Sequence, residues 1–124
     1  EQGDRALLNF GHTFGHALEV LLDYSTLIHG EAVAIGMVLA AKFSAEQGYA
    51  SAVDSIRLEK LLQTFGLPTQ MPIGLNPEHI IDKMRKDKKA IAGEIRLILW
   101  RGIGKAFIEK NVSSVALLPF LKLQ

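Results

Sequence analysis

The sequence contains no cysteine among its 124 residues. Disulfide bonds, thiolate metal ligands and a cysteine nucleophile are therefore excluded. A chain without cysteine is compatible with the cytoplasm, which is the location we expect. Long apolar runs are missing as well. The longest, residues 32–41, is about half of the roughly 20 residues that a membrane helix needs, so we expect no membrane partner.

Positive and negative side chains are nearly equal in number. The formal net charge is +1, and 48% of the residues are hydrophobic against 22% charged, which is typical of a globular domain. The only dense basic run, residues 83–89, contains no aromatic side chain, which argues against a nucleic-acid partner. By itself this run is interpreted as a solvated face. The chain opens on Glu1 without Met or an apolar signal segment, so we expect it to be a piece of a longer protein.

Hydrophobic periodicity predicts a mainly α fold, a helical bundle with a small β-hairpin, over residues 1–124. The predicted helices cover residues 5–22, 30–48, 52–65, 76–86 and 112–123, and the two strands cover residues 95–100 and 105–108. The second helix is apolar on nearly all sides and should lie at the centre. The third is expected to turn Ile56, Leu61, Leu62 and Phe65 inward. In the last helix, Ser113 or Ser114 should be the cap and Pro119 should cause a kink or an early end.

Gly11 and Gly15 interrupt the apolar period of the first predicted helix. Each costs up to about 1 kcal/mol against alanine in a helix interior, so the missing side chain must bring a gain. The gain is either close approach of a second backbone or a ligand, or tight packing between helices.

Three of the four histidines fall within residues 8–31. His12 and His16 are four residues apart and would share one helix face, whereas His29 directly precedes the second helix. Such imidazoles can hold a divalent cation or bind an anion. A third metal ligand could be Glu19, Glu31 or a group outside the chain. The fourth histidine, His79, is expected at the surface.

A polar stripe is predicted on the first helix. The steps from Arg5 to Asn9, His12 and His16 are four, three and four residues, which would place these side chains on one face. Arginine, asparagine and histidine make a poor core face and a good anion-binding face. The pattern therefore favours a binding site over a solvated surface.

Two motifs contain the three clustered histidines: residues 9–16 read NFGHTFGH and residues 29–33 read HGEAV. These motifs resemble the C-terminal domain of the 3-dehydroquinate synthase family. Glu1, Gly3 and Arg5 before them, and Asp87-Lys88-Lys89, Gly93, residues 96–99 and residues 103–105 after them, match further blocks of the family. The resemblance covers nearly the whole chain.

The resemblance implies a two-domain lyase of the shikimate pathway, in which aromatic amino acids are made. An N-terminal α/β domain binds NAD, and the mostly helical C-terminal domain carries metal- and substrate-binding residues. The substrate, 3-deoxy-D-arabino-heptulosonate 7-phosphate, is transiently oxidised by NAD, loses phosphate, is reduced again and closes to 3-dehydroquinate. The partners implied are this phosphorylated keto acid, the N-terminal domain and, for the full-length protein, a second copy in a homodimer.

The resemblance also implies roles for individual residues. His12 and His29 would be two of three ligands to zinc or cobalt, and the third would be a glutamate upstream of residue 1. Both must be neutral to bind metal, so binding is predicted to fail at acid pH. The other roles implied are substrate binding by Arg5 and Asn9, together with His12, His16 and His29, proton transfer by His16, acid/base catalysis by Glu1, and phosphate binding by Lys88 or Lys89.

No nucleotide-binding loop is found in the sequence, so we expect the chain alone to be inactive and to bind metal weakly. Two other functions stay open. A related sugar-phosphate cyclase or a metal-dependent polyol dehydrogenase would share the histidine framework. A helical interaction module without catalytic activity would lose nothing when His12 and His29 are replaced by alanine.

Overall fold

The structure, a computed structural model, describes residues 9–23, 27–86 and 94–124. These ranges hold helices α1 (His12–Leu21), α2 (His29–Glu46), α3 (Ala52–Thr64), α4 (Pro77–Arg85) and α5 (Ser114–Lys122), and strands β1 (Ile95–Trp100) and β2 (Ala106–Val112). The predicted mainly α fold with one hairpin is confirmed. None of the helices in these ranges has the length and apolar character that crossing a bilayer requires.

Helix α2 lies at the centre, as its apolar sequence predicts. Ile35, Leu39 and Phe43 pack into the larger core cluster, which also contains buried residues of α1, α4, α5 and both strands. Val38 and Ala41 pack into a second cluster with α3 and β1. A helix that contacts neighbours on both sides buries side chains around most of its circumference, which explains its lack of a polar face.

The start of α1 differs from the prediction. Residues 9–11 form a turn, in which the His12 N–H donates to the Asn9 carbonyl oxygen at 2.9 Å. Gly11 has a left-handed backbone with φ of 83°, which a continuous right-handed helix cannot contain. The helix predicted to run through residues 9–11 is therefore wrong there. Arg5, where it was predicted to begin, lies outside the described residues.

The glycines allow the backbones of α1 and α2 to approach closely. A Cβ atom built on Gly11 would lie 2.5 Å from the backbone nitrogen of Met37, and one on Gly15 would lie 2.9 Å from the Ala32 carbonyl oxygen. From the other side, a Cβ atom on Gly36 would collide with the Gly11 carbonyl oxygen. The structure thus shows tight packing between two helices in which their backbones approach closely, so both of these expectations for Gly11 and Gly15 apply.

The third helix buries a narrower face than predicted. Leu62 is buried, together with Leu58. In contrast, Ile56, Leu61 and Phe65 are 50%, 54% and 72% exposed. The hydrophobic period of the sequence identifies an apolar stripe on α3, but it does not show which part of that stripe faces another helix. Since α3 packs on α2, only the side chains directed at that one helix are covered.

The hairpin is antiparallel and attached to α2. Ile98 pairs with Ile108 and Trp100 with Ala106, and β2 continues to Val112, beyond the predicted end at residue 108. The buried Ser44 hydroxyl on α2 accepts the Trp100 N–H at 3.1 Å. One side chain thus joins the central helix to the end of β1.

Side-chain caps mark the starts of the last two helices. Asn76 caps α4 by accepting the Glu78 N–H at 2.9 Å, and His79 is exposed, as predicted. Ser113 caps α5 by accepting the Val115 N–H at 3.1 Å. Pro119 lies inside α5 without ending it at that residue.

Candidate metal and substrate site

The imidazoles of His12 and His29 lie side by side. His12 is the first residue of α1 and His29 the first residue of α2. Their ring centroids are 5.6 Å apart and their planes are inclined by 60°. The close packing of α1 on α2 holds the two helices, and therefore the two rings, at this separation.

Glu19, on α1, contacts the second of these rings. Its Oε1 lies 3.0 Å from His29 Nδ1. The Glu19 side chain is 9% exposed and that of His29 is 65% exposed. Glu19 follows His12 by seven residues, which is two helical turns, so both side chains lie on one face of α1.

His12 is half-buried, and its Nδ1 atom is fully buried. Within the described ranges this nitrogen has no hydrogen-bond partner. A buried ring nitrogen without a partner is unfavourable unless a group outside the described residues binds that same nitrogen.

The two rings suit a shared divalent metal. A metal–nitrogen bond of about 2.0–2.1 Å and a further ~1.2 Å to the ring centre place the centroids of two tetrahedrally arranged imidazoles about 5 Å apart. The observed separation is 5.6 Å. Neutral imidazole is a common ligand of both zinc and cobalt.

The two glutamates considered as a third ligand are engaged elsewhere. Glu19 contacts His29 Nδ1, and Glu31 accepts the Ile28 N–H at 3.2 Å at the start of α2. Across the described parts of the chain, no group of three histidine, aspartate or glutamate side chains is arranged to hold a metal ion. His12 and His29 therefore form a pair of candidate ligands.

The structure places the other predicted site residues as follows. His16 is exposed, one turn after His12 on α1. Asn9 is half-buried in the turn before α1, so the predicted helical stripe is broken between Asn9 and His12 by Gly11. Glu1, Arg5, Lys88 and Lys89 lie outside the described residues.

A second polar cluster lies at the hairpin. The Tyr49 hydroxyl donates to Glu109, and the Arg101 guanidinium carbon lies 4.4 Å from the centroid of the Phe107 ring. The hydrogen bond to Glu109 is the main reason why the pKa of Tyr49 is raised above its ordinary value of 10.0. This cluster ties the segment after α2 to β2 and contains none of the predicted site residues.

Comparison with known proteins gives consistent results. The family model described as "3-dehydroquinate synthase C-terminal" matches residues 1–90. The 3-dehydroquinate synthase of Xanthomonas campestris pv. campestris (strain 8004) is 56% identical over 98% of the chain, and that of Xylella fastidiosa (strain M12) is 53% identical over the same share. The chain spans 34% of the length of each of these relatives.

Two solved structures share the fold. One is a 2-deoxy-scyllo-inosose synthase complexed with carbaglucose-6-phosphate, NAD+ and Co2+, with a TM-score of 0.77 and 26% identity over 93% of this chain and 34% of that one. The other is a 2-epi-5-epi-valiolone synthase from Streptomyces hygroscopicus subsp. jinggangensis 5008 with NAD+ and Zn2+ bound. Its TM-score is 0.74 and its identity 27% over 94% of this chain and 33% of that one. The match of the family model to most of the chain and the identity to named relatives show that the chain belongs to the 3-dehydroquinate synthase family, in the part described as C-terminal.

Proposed function

We propose that residues 1–124 are the metal- and substrate-binding C-terminal part of a 3-dehydroquinate synthase. In the full-length protein, an N-terminal domain would bind NAD. Relatives named 3-dehydroquinate synthase are 53–56% identical to the chain and about three times as long, since the chain spans 34% of each. This ratio supports a second domain that the chain does not include.

The proposed reaction converts 3-deoxy-D-arabino-heptulosonate 7-phosphate into 3-dehydroquinate and inorganic phosphate. A substrate hydroxyl is oxidised as NAD+ accepts a hydride, phosphate leaves, the hydride returns and the ring closes. The full-length enzyme is thus a lyase with no net redox change. The names of the relatives support this assignment.

The observation that carries the proposal is the pairing of His12 with His29. Their centroids are 5.6 Å apart, and together they would hold one zinc or cobalt ion, with a glutamate from outside the chain as third ligand. When bound, such an ion supplies a Lewis acid that polarises the hydroxyl to be oxidised. The same two imidazoles would border the bound substrate.

Other side chains of the chain would bind and orient the substrate. Asn9, in the turn directly before α1, offers amide donors and an acceptor, and Arg5 would add a cation for the substrate carboxylate. The exposed His16 is one turn from His12 and would hold or move a proton at the phosphate end. Lys88 or Lys89 would bind the phosphate, and Glu1 would act as an acid/base group.

Related sugar-phosphate cyclases are the second candidate, because two of them share the fold with TM-scores of 0.77 and 0.74. Their identity to the chain is 26–27%, against 53–56% for the relatives named 3-dehydroquinate synthase. The twofold higher identity favours the synthase.

The test is turnover by the full-length protein that contains this chain. Supplied with NAD+ and Co2+ or Zn2+, it should release phosphate and form 3-dehydroquinate from 3-deoxy-D-arabino-heptulosonate 7-phosphate, and it should not consume glucose 6-phosphate. His12→Ala should abolish turnover. His79→Ala, which removes an exposed imidazole on α4, is the matched control and should behave as wild type.

Two outcomes would refute the proposal. A preference for glucose 6-phosphate would assign the protein to another cyclase. Full activity of His12→Ala would show that the catalytic site lies elsewhere.

We also propose that the 124-residue chain alone has no turnover with added NAD+ and substrate, which any measured turnover would overturn. A homodimer and a cytoplasmic location stay predictions.

A further inference from the structure

Glu19 is a buried carboxylate. The residue is 7% exposed, and it lies among the apolar buried residues of α1, next to Leu18. Removing an ionised carboxylate from water costs several kcal/mol unless a charged or hydrogen-bonding partner compensates. A position facing the core would ordinarily favour an apolar residue, so this carboxylate needs an explanation.

The structure gives Glu19 a partner on the next helix. Its Oε1 lies 3.0 Å from His29 Nδ1, across the interface between α1 and α2. An ionised carboxylate can only accept a hydrogen bond, so the nitrogen that faces it must carry the proton. In a neutral imidazole, the other nitrogen, Nε2, then has a free lone pair.

We propose that Glu19 is a positioning residue for the metal site. It holds the His29 ring in the Nδ1–H form, fixes the ring orientation and leaves Nε2 as the nitrogen that binds metal. A carboxylate behind a metal-bound histidine also makes the imidazole a stronger donor. The inference rests on the proposed function, because it takes His29 to be a metal ligand.

This assignment differs from a role as third ligand. Glu19 contacts Nδ1 of the His29 ring, so in a neutral ring Nε2 is the nitrogen left to bind a metal ion. The buried carboxylate thus supports one ligand from behind, while the exposed His29 ring remains accessible from its other side. Its exposed fraction of 65% is compatible with an ion and substrate reaching Nε2.

The test compares Co2+ affinity of the full-length protein with that of Glu19→Gln. Glutamine has nearly the same size, but its amide both donates and accepts, so it no longer dictates which nitrogen of His29 carries the proton. Loss of such a partner lowers metal affinity by roughly 10–100-fold. We expect a loss in this range, measured by the visible absorption of bound Co2+, with an unchanged circular dichroism spectrum.

The matched control is Glu59→Gln. Glu59 is also a partly buried carboxylate in an ion pair, with its Oε1 3.6 Å from Lys42 Nζ, but it lies on α3. It should keep wild-type Co2+ affinity. Unchanged affinity of Glu19→Gln, or an equal loss in both variants, would overturn the proposal.

His12→Ala separates this inference from the proposed function. If His12→Ala loses Co2+ and Glu19→Gln does not, the metal site is right and the role of Glu19 is wrong. If His12→Ala binds Co2+ as wild type does, the metal site itself is wrong, and both proposals fall.

A further measurement needs neither a variant nor a metal. The ¹⁵N chemical shifts of the imidazoles report which ring nitrogen is protonated, and the chain has only four histidines to assign. At a pH where the imidazoles are neutral, we expect His29 in the Nδ1–H form in the metal-free 124-residue chain. A predominant Nε2–H form would contradict the proposal.

Discussion

Replacing Gly36 by alanine should force α1 and α2 apart. A Cβ atom on Gly36 would lie 2.8 Å from the Gly15 backbone nitrogen and would collide with the Gly11 carbonyl oxygen. Both contacts are to backbone atoms, which cannot rotate away as the end of a flexible side chain can. The helices must therefore separate, or α2 must bend locally.

Two opposing effects determine how much Gly36→Ala changes the free energy of unfolding. Alanine is favoured over glycine in a helix interior by about 1 kcal/mol. Overpacking typically costs about 1–3 kcal/mol, and contacts with backbone belong at the upper end of that range. We expect Gly36→Ala to lower the free energy of unfolding by about 2 kcal/mol.

The matched control is Gly30→Ala, in the same helix. Nothing lies within 4 Å of a Cβ atom built there, and its φ angle is not in the left-handed region. This change should be neutral or raise the free energy of unfolding by up to about 1 kcal/mol. Urea unfolding of the 124-residue chain, followed by far-UV circular dichroism, measures both.

Separation of α1 from α2 would also separate His12 from His29. In the full-length protein, Gly36→Ala should therefore bind Co2+ more weakly than wild type. The reasoning is refuted if Gly36→Ala is as stable as wild type, or if it is destabilised no more than Gly30→Ala.

Three further predictions concern the scaffold. Ser44→Ala leaves the buried backbone N–H of Trp100 without its partner. It should lower the free energy of unfolding in urea by about 1–3 kcal/mol, and a neutral effect would contradict the assigned hydrogen bond. Phe65→Ser should change the free energy of unfolding by less than about 0.5 kcal/mol, because Phe65 is 72% exposed; a loss of several kcal/mol would show that this ring is buried. Glu109→Gln should lower the raised pKa of Tyr49 toward 10.0, so phenolate absorbance should develop at lower pH than in wild type. The raised pKa means that the folded chain favours the neutral phenol of Tyr49. This contribution to the stability of the folded chain is present below pH 10.0 and is lost as pH rises through the folded-state pKa. An unchanged titration of Tyr49 in Glu109→Gln would refute the role of Glu109.

The helix and strand positions could be predicted because their signals are local. Asn76 and Ser113 cap the helices that follow them, and each needs only the next two residues. The central place of α2 is equally clear, since a helix that is apolar on nearly all sides has to be surrounded.

The break at Gly11 could not be predicted from the neighbouring residues. Glycine is compatible with both an imperfect helix and a left-handed turn, and the apolar period continues across it. Whether Gly11 adopts the helix or the left-handed turn depends on α2, because the backbone of Met37 lies next to the position that a Cβ atom of Gly11 would occupy. In the same way, Ile56 and Phe65 belong to an apolar stripe on α3, but only the position of α2 decides which side chains are covered.

The histidines of the candidate site could be singled out from the sequence by the spacing of His12 and His16 and the position of His29. A metal-binding role for His12 and His29 is implied only by the family resemblance and stays a prediction. The link between Glu19 and His29 was missed, because it joins two helices across a turn and no local pattern requires it. The available signal was a carboxylate two turns after His12 on the buried face of α1.

X-ray absorption of the Co2+-loaded full-length protein tests the central claim most directly, namely that His12 and His29 bind one ion. The wild-type spectrum should require two imidazole nitrogens at about 2.0–2.1 Å. His29→Ala should show one imidazole fewer or no bound metal. A His29→Ala protein that binds Co2+ with the same number of imidazoles as wild type would contradict the account.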